Sequence, residues 1–184
     1  LQCLNIPNSV TEIGGVAFWG CSSLQSIDIP NSVTKIGKAV FDGCSSLQSI
    51  YIPDSVIEIG NVAFGDCSSL QSIDVSNDNL HFASVDGILF DKDLSAIVRL
   101  PPKNDVKDYV IPDSVTKIEI EAFRGNSFLQ SIYIPNSVTE IGGWAFENCS
   151  SLQSIDIPNS VTVIGGWAFE SCSSLQSIDI PDSV

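Results

Sequence analysis

Five of the six cysteines fill one position of a repeating pattern, and thiols are the side chains of this sequence with the widest range of chemistry. Neighbours in the set are mostly 23 residues apart: Cys21, Cys44, Cys67, Cys149 and Cys172. Side chains stacked on neighbouring strands lie ~4.8 Å apart, wider than the ~3.8 Å between the Cβ atoms of a disulfide. Asn126 replaces the thiol in one unit, and no Cys-x-x-Cys pair or histidine pattern indicates zinc. We therefore predict free thiols that pack and hydrogen-bond to the backbone.

Catalytic groups are scarce in the rest of the sequence. The single histidine, His81, lies in the segment NDNLHFAS, and no serine or cysteine beside it forms a recognisable nucleophile pattern. The glycine-rich stretches GGVAFWG and GGWAF lack the GxGxxG and GxxxxGK[ST] signatures of phosphate-binding loops. We expect no enzymatic activity, no cofactor and no metal.

The charge balance limits the possible partners. Lys and Arg total 8 against 22 Asp and Glu, which gives a formal net charge of −14. Such a chain is repelled by phosphate backbones and anionic lipid, and no apolar run approaches the ~20 residues of a membrane span. We predict a protein partner, basic in character, and neither nucleic acid nor direct membrane insertion.

Most of the chain consists of a 23-residue repeat with the pattern IPxSVTxIGxxAFxxCSSLQSIx, to which the five cysteines and the glycine-rich stretches belong. The complete units are residues 6–28, 29–51, 52–74, 111–133, 134–156 and 157–179. SLQSIDIP alternates apolar and polar residues as a half-buried strand does, and the Pro-Asn-Ser or Pro-Asp-Ser that follows predicts a turn. SVTEIG predicts a second short strand, and GGVAFWGC predicts one helical or 3₁₀ turn.

The apolar positions of the repeat predict the core. One unit of this size cannot bury its own apolar side chains, so the units must stack with equivalent positions in contact. We expect four buried columns along the stack, which begin in the first unit at Ile13, Phe18, Leu24 and Ile27.

Residues 75–110 interrupt the repeat between the third and fourth units. Asp86-Gly87 and Asp91-Lys92-Asp93 are turn sequences, and the apolar runs ILF and AIVRL beside them predict strands. We expect one enlarged coil with a β-hairpin that protrudes from it, after which VKDYVIP restores the register. The insertion either contributes to binding or serves as a spacer that adjusts curvature.

With these units the chain resembles the BspA-like leucine-rich repeat proteins, whose units read LxxIxIPxSVTxIGxxAFxxCxx. The resemblance implies an α/β leucine-rich repeat solenoid with a parallel β-sheet on one face and short strands and short helical turns on the other. We expect residues 1–184 to form a single solenoid and to be part of a longer chain. Similar proteins bind host matrix proteins or other cells, so the resemblance also implies an extracellular or cell-surface location. The family motif consists of core and turn residues, and no catalytic residue is carried over.

Binding residues are expected where the repeat varies, because its constant letters serve the core. The residue after each strand isoleucine should point out of the sheet. This column, called the strand face below, consists of Asn5, Asp28, Tyr51, Asp74, Val110, Tyr133, Asp156 and Asp179. Tyrosine is enriched at binding hot spots, and stacked aspartates repel one another unless a cation or basic partner is present. The strand face is either a solvated surface or an acidic, tyrosine-containing binding groove.

Two further columns vary between units. Charges alternate in sign at Glu12, Lys35 and Glu58 and again from Lys117 to Glu140, which predicts ion pairs between units. Trp144 and Trp167 share a third column, where the rings either cover the coil beneath them or form a secondary interface.

These features predict a non-enzymatic module for protein binding or adhesion. The alternative is a structural spacer or a self-associating solenoid, because near-identical units could extend a larger array end to end.

Overall fold

A computed structural model describes residues 3–184, in which each repeat unit forms one coil with two short strands. The predicted solenoid also includes residues 1 and 2, which lie outside the described residues. The first strands of the coils are β1 (Cys3–Asn5), β3 (Ser26–Asp28), β5 (Ser49–Ile52), β7 (Ser72–Val75), β11 (Asp108–Val110), β13 (Ser131–Tyr133) and β15 (Ser154–Asp156). The second strands are β2 (Glu12–Ile13), β4 (Lys35–Ile36), β6 (Glu58–Ile59), β12 (Lys117–Ile118), β14 (Glu140–Ile141) and β16 (Val163–Ile164). The enlarged coil adds β8 (Phe82–Val85), β9 (Ile88–Asp91) and β10 (Ala96–Arg99).

Equivalent residues of neighbouring coils pair in parallel, as the repeat predicts. Ile132 pairs with Ile155, and Ile118 pairs with Ile141. The first strands do not form one continuous sheet, however. They form the ladders β1–β3, β5–β7 and β11–β13–β15, while the second strands form β2–β4–β6 and the six-stranded sheet β16-β14-β12-β10-β9-β8.

The predicted short helical turns are wrong, because residues 3–184 contain no helix. The segment that follows the second strand is a series of turns, in which Val16 has a φ of 57°, far from the ~−63° of an α-helix. The same position has positive φ in all six complete units: Val16, Ala39, Val62, Glu121, Trp144 and Trp167. Alternate N–H groups also bond to the next coil: Val16 N donates to Lys38 O at 2.9 Å and Phe18 N to Val40 O at 3.0 Å. The stacking of coils therefore uses the donors that a helix would need.

The predicted hairpin is present, but it does not protrude. Strand β8 pairs antiparallel with β9, which pairs antiparallel with β10, and β10 continues in parallel to β12. Ile88, Leu89 and Phe90 of β9 are all buried. Because side chains alternate along a strand, Ile88 and Phe90 pack into one hydrophobic cluster and Leu89 into the other. Strand β9 is thus an internal wall between two cores.

The four predicted core columns are confirmed. Most members are buried in the central coils, as at Ile36, Phe41, Leu47 and Ile50, whereas Ile59 beside the enlarged coil and the members in the last coil are half-buried. The phenylalanine rings stack, with centroids 5.7 Å apart for Phe18 and Phe41 and similar spacing in the later units. The enlarged coil separates one cluster, which extends from Ile6 to Leu89, from a second that extends from Ile88 to Cys172.

Candidate interaction surfaces

The strand face is exposed where the sequence places it. Tyr51, Val110 and Tyr133 are 54%, 67% and 57% exposed. The acids of the column are exposed as well: Asp28, Asp74, Asp156 and Asp179. Most of them follow a buried strand isoleucine, such as Ile50 before Tyr51, so strand alternation turns the side chain to solvent.

The hairpin divides the strand face into two halves. Strand β7 donates to the hairpin, from Ile73 N to Gly87 O at 2.9 Å and from Val75 N to Ser84 Oγ at 3.0 Å. Gly87 has a φ of 75°, and a Cβ on it would lie 2.8 Å from the Cβ of Ser72, so only glycine fits between the strands. One half therefore ends at Asp74 and the other begins at Val110, which the sequence pattern did not predict.

Each half places one tyrosine beside a carboxylate. Tyr51 pairs in register with Asp74, and Tyr133 pairs with Asp156. The ring offers an apolar surface with a hydroxyl at its tip, and the carboxylate accepts hydrogen bonds from cationic side chains. The ion pairs found in residues 3–184 involve none of the strand-face acids. The negative potential of the strand face is thus left without a neighbouring cation.

The predicted ion pairs between units are confirmed on the second strands. Lys35 Nζ lies 3.1 Å from Glu58 Oε1 and 3.9 Å from Glu12 Oε1, and Lys117 Nζ lies 3.5 Å from Glu140 Oε1. The hydrogen bond to Glu58, together with the charge of that carboxylate, raises the pKa of Lys35. These side chains are more than a third exposed, so solvent screens the pairs and they contribute little to the stability of the fold.

The two tryptophans stack on each other at the edge of the turn segments. Their ring centroids are 5.2 Å apart and their planes differ by 10°. Trp144 is half-buried under its neighbour, whereas Trp167 is 63% exposed. Trp144 is thus covered within the stack, whereas Trp167 leaves an aromatic surface open, and a secondary interface at these rings stays a prediction.

Five thiols are free, as the column spacing predicts. Four of them donate to the carbonyl of the phenylalanine 26 residues earlier, as from Cys67 Sγ to Phe41 O at 3.1 Å. Burial raises the pKa of Cys67 and of Cys149 to about 12, which keeps both thiols protonated and unreactive at neutral pH. Asn126 fills the same position, with its Oδ1 accepting from Leu129 N at 2.8 Å. The column is structural.

A buried charged cluster beside the enlarged coil was not predicted. Arg124 contacts carboxylates from three coils, with nitrogen–oxygen distances of 3.3 Å to Asp66, 2.5 Å to Glu121 and 2.8 Å to Glu147. Arg99 is 3% exposed and donates from Nη1 to the Glu121 carbonyl, while its Nε and Nη2 have no acceptor. Burial lowers the pKa of Arg99 and raises that of Glu121. In the sequence, Glu121 indicates this cluster, because it is a charged residue in a column of mostly apolar residues.

Neither a metal-binding cluster nor a membrane-spanning helix is found in the described part of the chain. Residues 3–184 hold no group of three or more His, Cys, Asp or Glu side chains placed to bind a metal ion. None of them forms a helix that could cross a bilayer.

The coil geometry and the repeat agree with one known family. A model of the BspA type leucine rich repeat region matches residues 1–91 and 103–184, in 6 copies. The chain belongs to this family. The family model leaves out residues 92–102, which include the whole of β10 of the enlarged coil. No curated protein matches this BspA-type chain.

Solved structures share the fold of this BspA-type chain. The pneumococcal vaccine antigen PcpA is similar with a TM-score of 0.91 and 26% identity, over 100% of this chain and 52% of that one. A leucine rich cell surface protein from Faecalibacterium prausnitzii A2-165 has a TM-score of 0.57 and 26% identity, over 100% and 74% of the two chains. A leucine rich repeat protein from T. pallidum has a TM-score of 0.57 and 29% identity, over 95% and 78%. The chain thus spans about half the length of PcpA.

Proposed function

We propose that this BspA-type chain is a non-enzymatic protein-binding or adhesion module, displayed outside the cell as part of a longer protein, and that its strand face binds a basic protein partner. Membership of a leucine-rich repeat family supports a role in protein interaction. The names of two similar structures, a cell surface protein and a vaccine antigen, support the location.

The observation that best supports this proposal is the exposed strand face with its unpaired acids. Tyr51 and Tyr133 are more than half exposed, so the fold does not depend on burial of their rings. Each tyrosine lies in register with an aspartate. A solvated surface would account for the acids. The exposed aromatic rings, in contrast, contribute favourable free energy of burial only when a partner protein covers them. Uncompensated carboxylates attract a basic partner and raise its rate of association.

Alanine substitution of both tyrosines tests the proposal. A panel of purified matrix and cell-surface proteins would be titrated against the immobilised chain, and the strongest binder then titrated against Tyr51→Ala/Tyr133→Ala. Loss of a hot-spot side chain costs about 2 kcal/mol or more, so we expect binding at least roughly 30-fold weaker with an unchanged melting temperature. Trp19→Ala is the matched control, since Trp19 is 65% exposed and lies off the strand face. Unchanged affinity in the double variant would exclude the strand face as the binding surface.

A further inference from the structure

A cleft of about 250 Å³ opens beside the enlarged coil, on the side of the turn segments. Residues 60–65 of the third unit form one wall, and residues 119–121 of the fourth unit form the other. Ala96, Val98 and Arg99 of β10 also line it. The strand face lies on the first strands, so the cleft is separate from it.

The cleft exists because the enlarged coil is two residues short at this point. Leu100 takes the place of the column phenylalanine, since Leu100 N donates to Ala122 O as Phe123 N donates to Ala145 O. Ile97 takes the place of the strand isoleucine and pairs with Ile118. The strand isoleucine and the next column residue are thus 3 positions apart in the enlarged coil, from Ile97 to Leu100, against 5 in the fourth unit, from Ile118 to Phe123. The bend that fills this space in other coils is missing.

The missing bend leaves a row of backbone donors without acceptors. In the second unit, Ala39 N, Phe41 N and Gly43 N donate to carbonyls of the third unit at 3.1, 2.9 and 2.9 Å. The equivalent groups of the third unit are the N–H groups of Val62 and Phe64, and within residues 3–184 neither donates to a backbone carbonyl.

An acceptor on the facing wall is also free. Gly143 O, in the fifth unit, accepts from Glu121 N at 3.0 Å. Its equivalent in the fourth unit is the Ile120 carbonyl, and no backbone N–H of the described residues donates to it. One wall of the cleft therefore offers donors and the other an acceptor, which is the hydrogen-bonding pattern of an absent polypeptide segment.

We propose that the cleft binds an extended peptide segment of a partner protein, which completes the interrupted ladder of backbone hydrogen bonds. Peptide carbonyls accept from Val62 N and Phe64 N, and a peptide N–H donates to Ile120 O. The mode is that of peptides that add a strand to an open sheet edge, where main-chain bonds give the affinity.

The size and charge of the cleft define the peptide. A space of about 250 Å³ admits only small side chains, such as glycine and alanine, at the centre of the segment. Three acids line the cleft against one arginine, since Asp91, Glu119 and Glu121 accompany Arg99. Lys117 pairs with Glu119 and Arg124 pairs with Glu121, but the same two cations also contact Glu140, Asp66 and Glu147, so the surroundings of the cleft keep a net negative charge. Lysine or arginine residues should therefore flank the small residues of the bound segment.

Amide hydrogen exchange, read by NMR, tests the site in the intact chain. A free amide lacks a hydrogen bond worth about 1 kcal/mol, so Val62 and Phe64 should exchange at least about fivefold faster than Ala39 and Phe41, their equivalents in the second unit. The probe is the peptide acetyl-Lys-Gly-Ala-Gly-Ala-Lys-amide. Added at saturating concentration, it should slow the exchange of Val62 and Phe64 to the rate of the second-unit pair.

Matched peptides and variants identify the contact. A peptide with N-methylated central residues, or with glutamate in place of both lysines, should lose the effect. Ala96→Leu fills the cleft and should abolish peptide binding, whereas Val163→Leu, at the equivalent strand position in β16, should not. Slow exchange of Val62 and Phe64 in the free chain, or equal peptide binding by Ala96→Leu, would overturn the proposal. Tyr51→Ala/Tyr133→Ala should keep full peptide binding, so failure of the cleft and failure of the strand face are separate results.

Discussion

Replacement of Leu89 by alanine tests whether the hairpin is part of the core. Leu89 is 0% exposed and is the residue of β9 that packs into the cluster of the first three units. Removing a fully buried leucine side chain and leaving a cavity costs about 2–5 kcal/mol. For a chain of this length each kcal/mol lowers the melting temperature by about 2–4 °C, so a loss of about 3 kcal/mol corresponds to about 6–12 °C.

Thermal and urea unfolding, followed by circular dichroism, measure this effect. Leu80→Ala is the matched control, because Leu80 belongs to the same enlarged coil but is 77% exposed, and we expect a change within about 0.5 kcal/mol. If Leu89→Ala and Leu80→Ala lowered stability equally, the hairpin would be a surface appendage and the internal wall would be refuted.

Three other predictions concern charges, thiols and backbone strain. Arg124→Met should lower the free energy of unfolding in urea titrations by about 3 kcal/mol, because it leaves the buried Glu121 carboxylate unpaired. The double variant Arg124→Met/Glu121→Met should recover most of this loss. If the losses of the two single substitutions added up in the double variant, the pairing would be contradicted. The pKa of Cys67 is about 12 in the fold against an ordinary 9.0, so unfolding releases its proton, and stability should fall as pH rises from 9 towards 12. Cys67→Ala should flatten that fall, and an unchanged slope would count against the assignment. Val16 has a φ of 57°, so Val16→Gly should raise stability by up to about 1 kcal/mol. Val163 lies in a strand, so Val163→Gly should lower stability by about as much. Changes in melting temperature of the same sign for both variants would contradict this prediction.

The regular coils could be predicted because each repeated letter has one physical role. Ile36, Phe41 and Leu47 are apolar at positions that every unit shares, so stacking buries them whatever the partner coil. The turn segment was predicted less well. The segment GGVAFWGC suggested one helical or 3₁₀ turn, but the bonds from Val16 N and Phe18 N to the next coil are tertiary, and sequence patterns of one unit do not contain them.

The enlarged coil was predicted only in part from the sequence. Its strands were predicted from turn letters and apolar runs, and β9 and β10 follow those runs closely. Their position between two cores was not predicted, because three consecutive apolar residues, from Ile88 to Phe90, are compatible with burial of one face of the strand or of both faces. The strand face was predicted residue by residue from alternation. Its division at Gly87 depends on the hairpin's position in space, which no local pattern encodes.

The binding titration with the tyrosine double variant tests the central claim most directly. The partner found in the panel of matrix and cell-surface proteins would be titrated at low and at high salt against the wild-type chain, Tyr51→Ala/Tyr133→Ala and Trp19→Ala. We expect affinity that weakens with salt, at least roughly 30-fold weaker binding for the tyrosine variant, and unchanged binding for the tryptophan control. Equal, salt-independent affinity for all three chains would show that the acidic strand face is not where this protein binds.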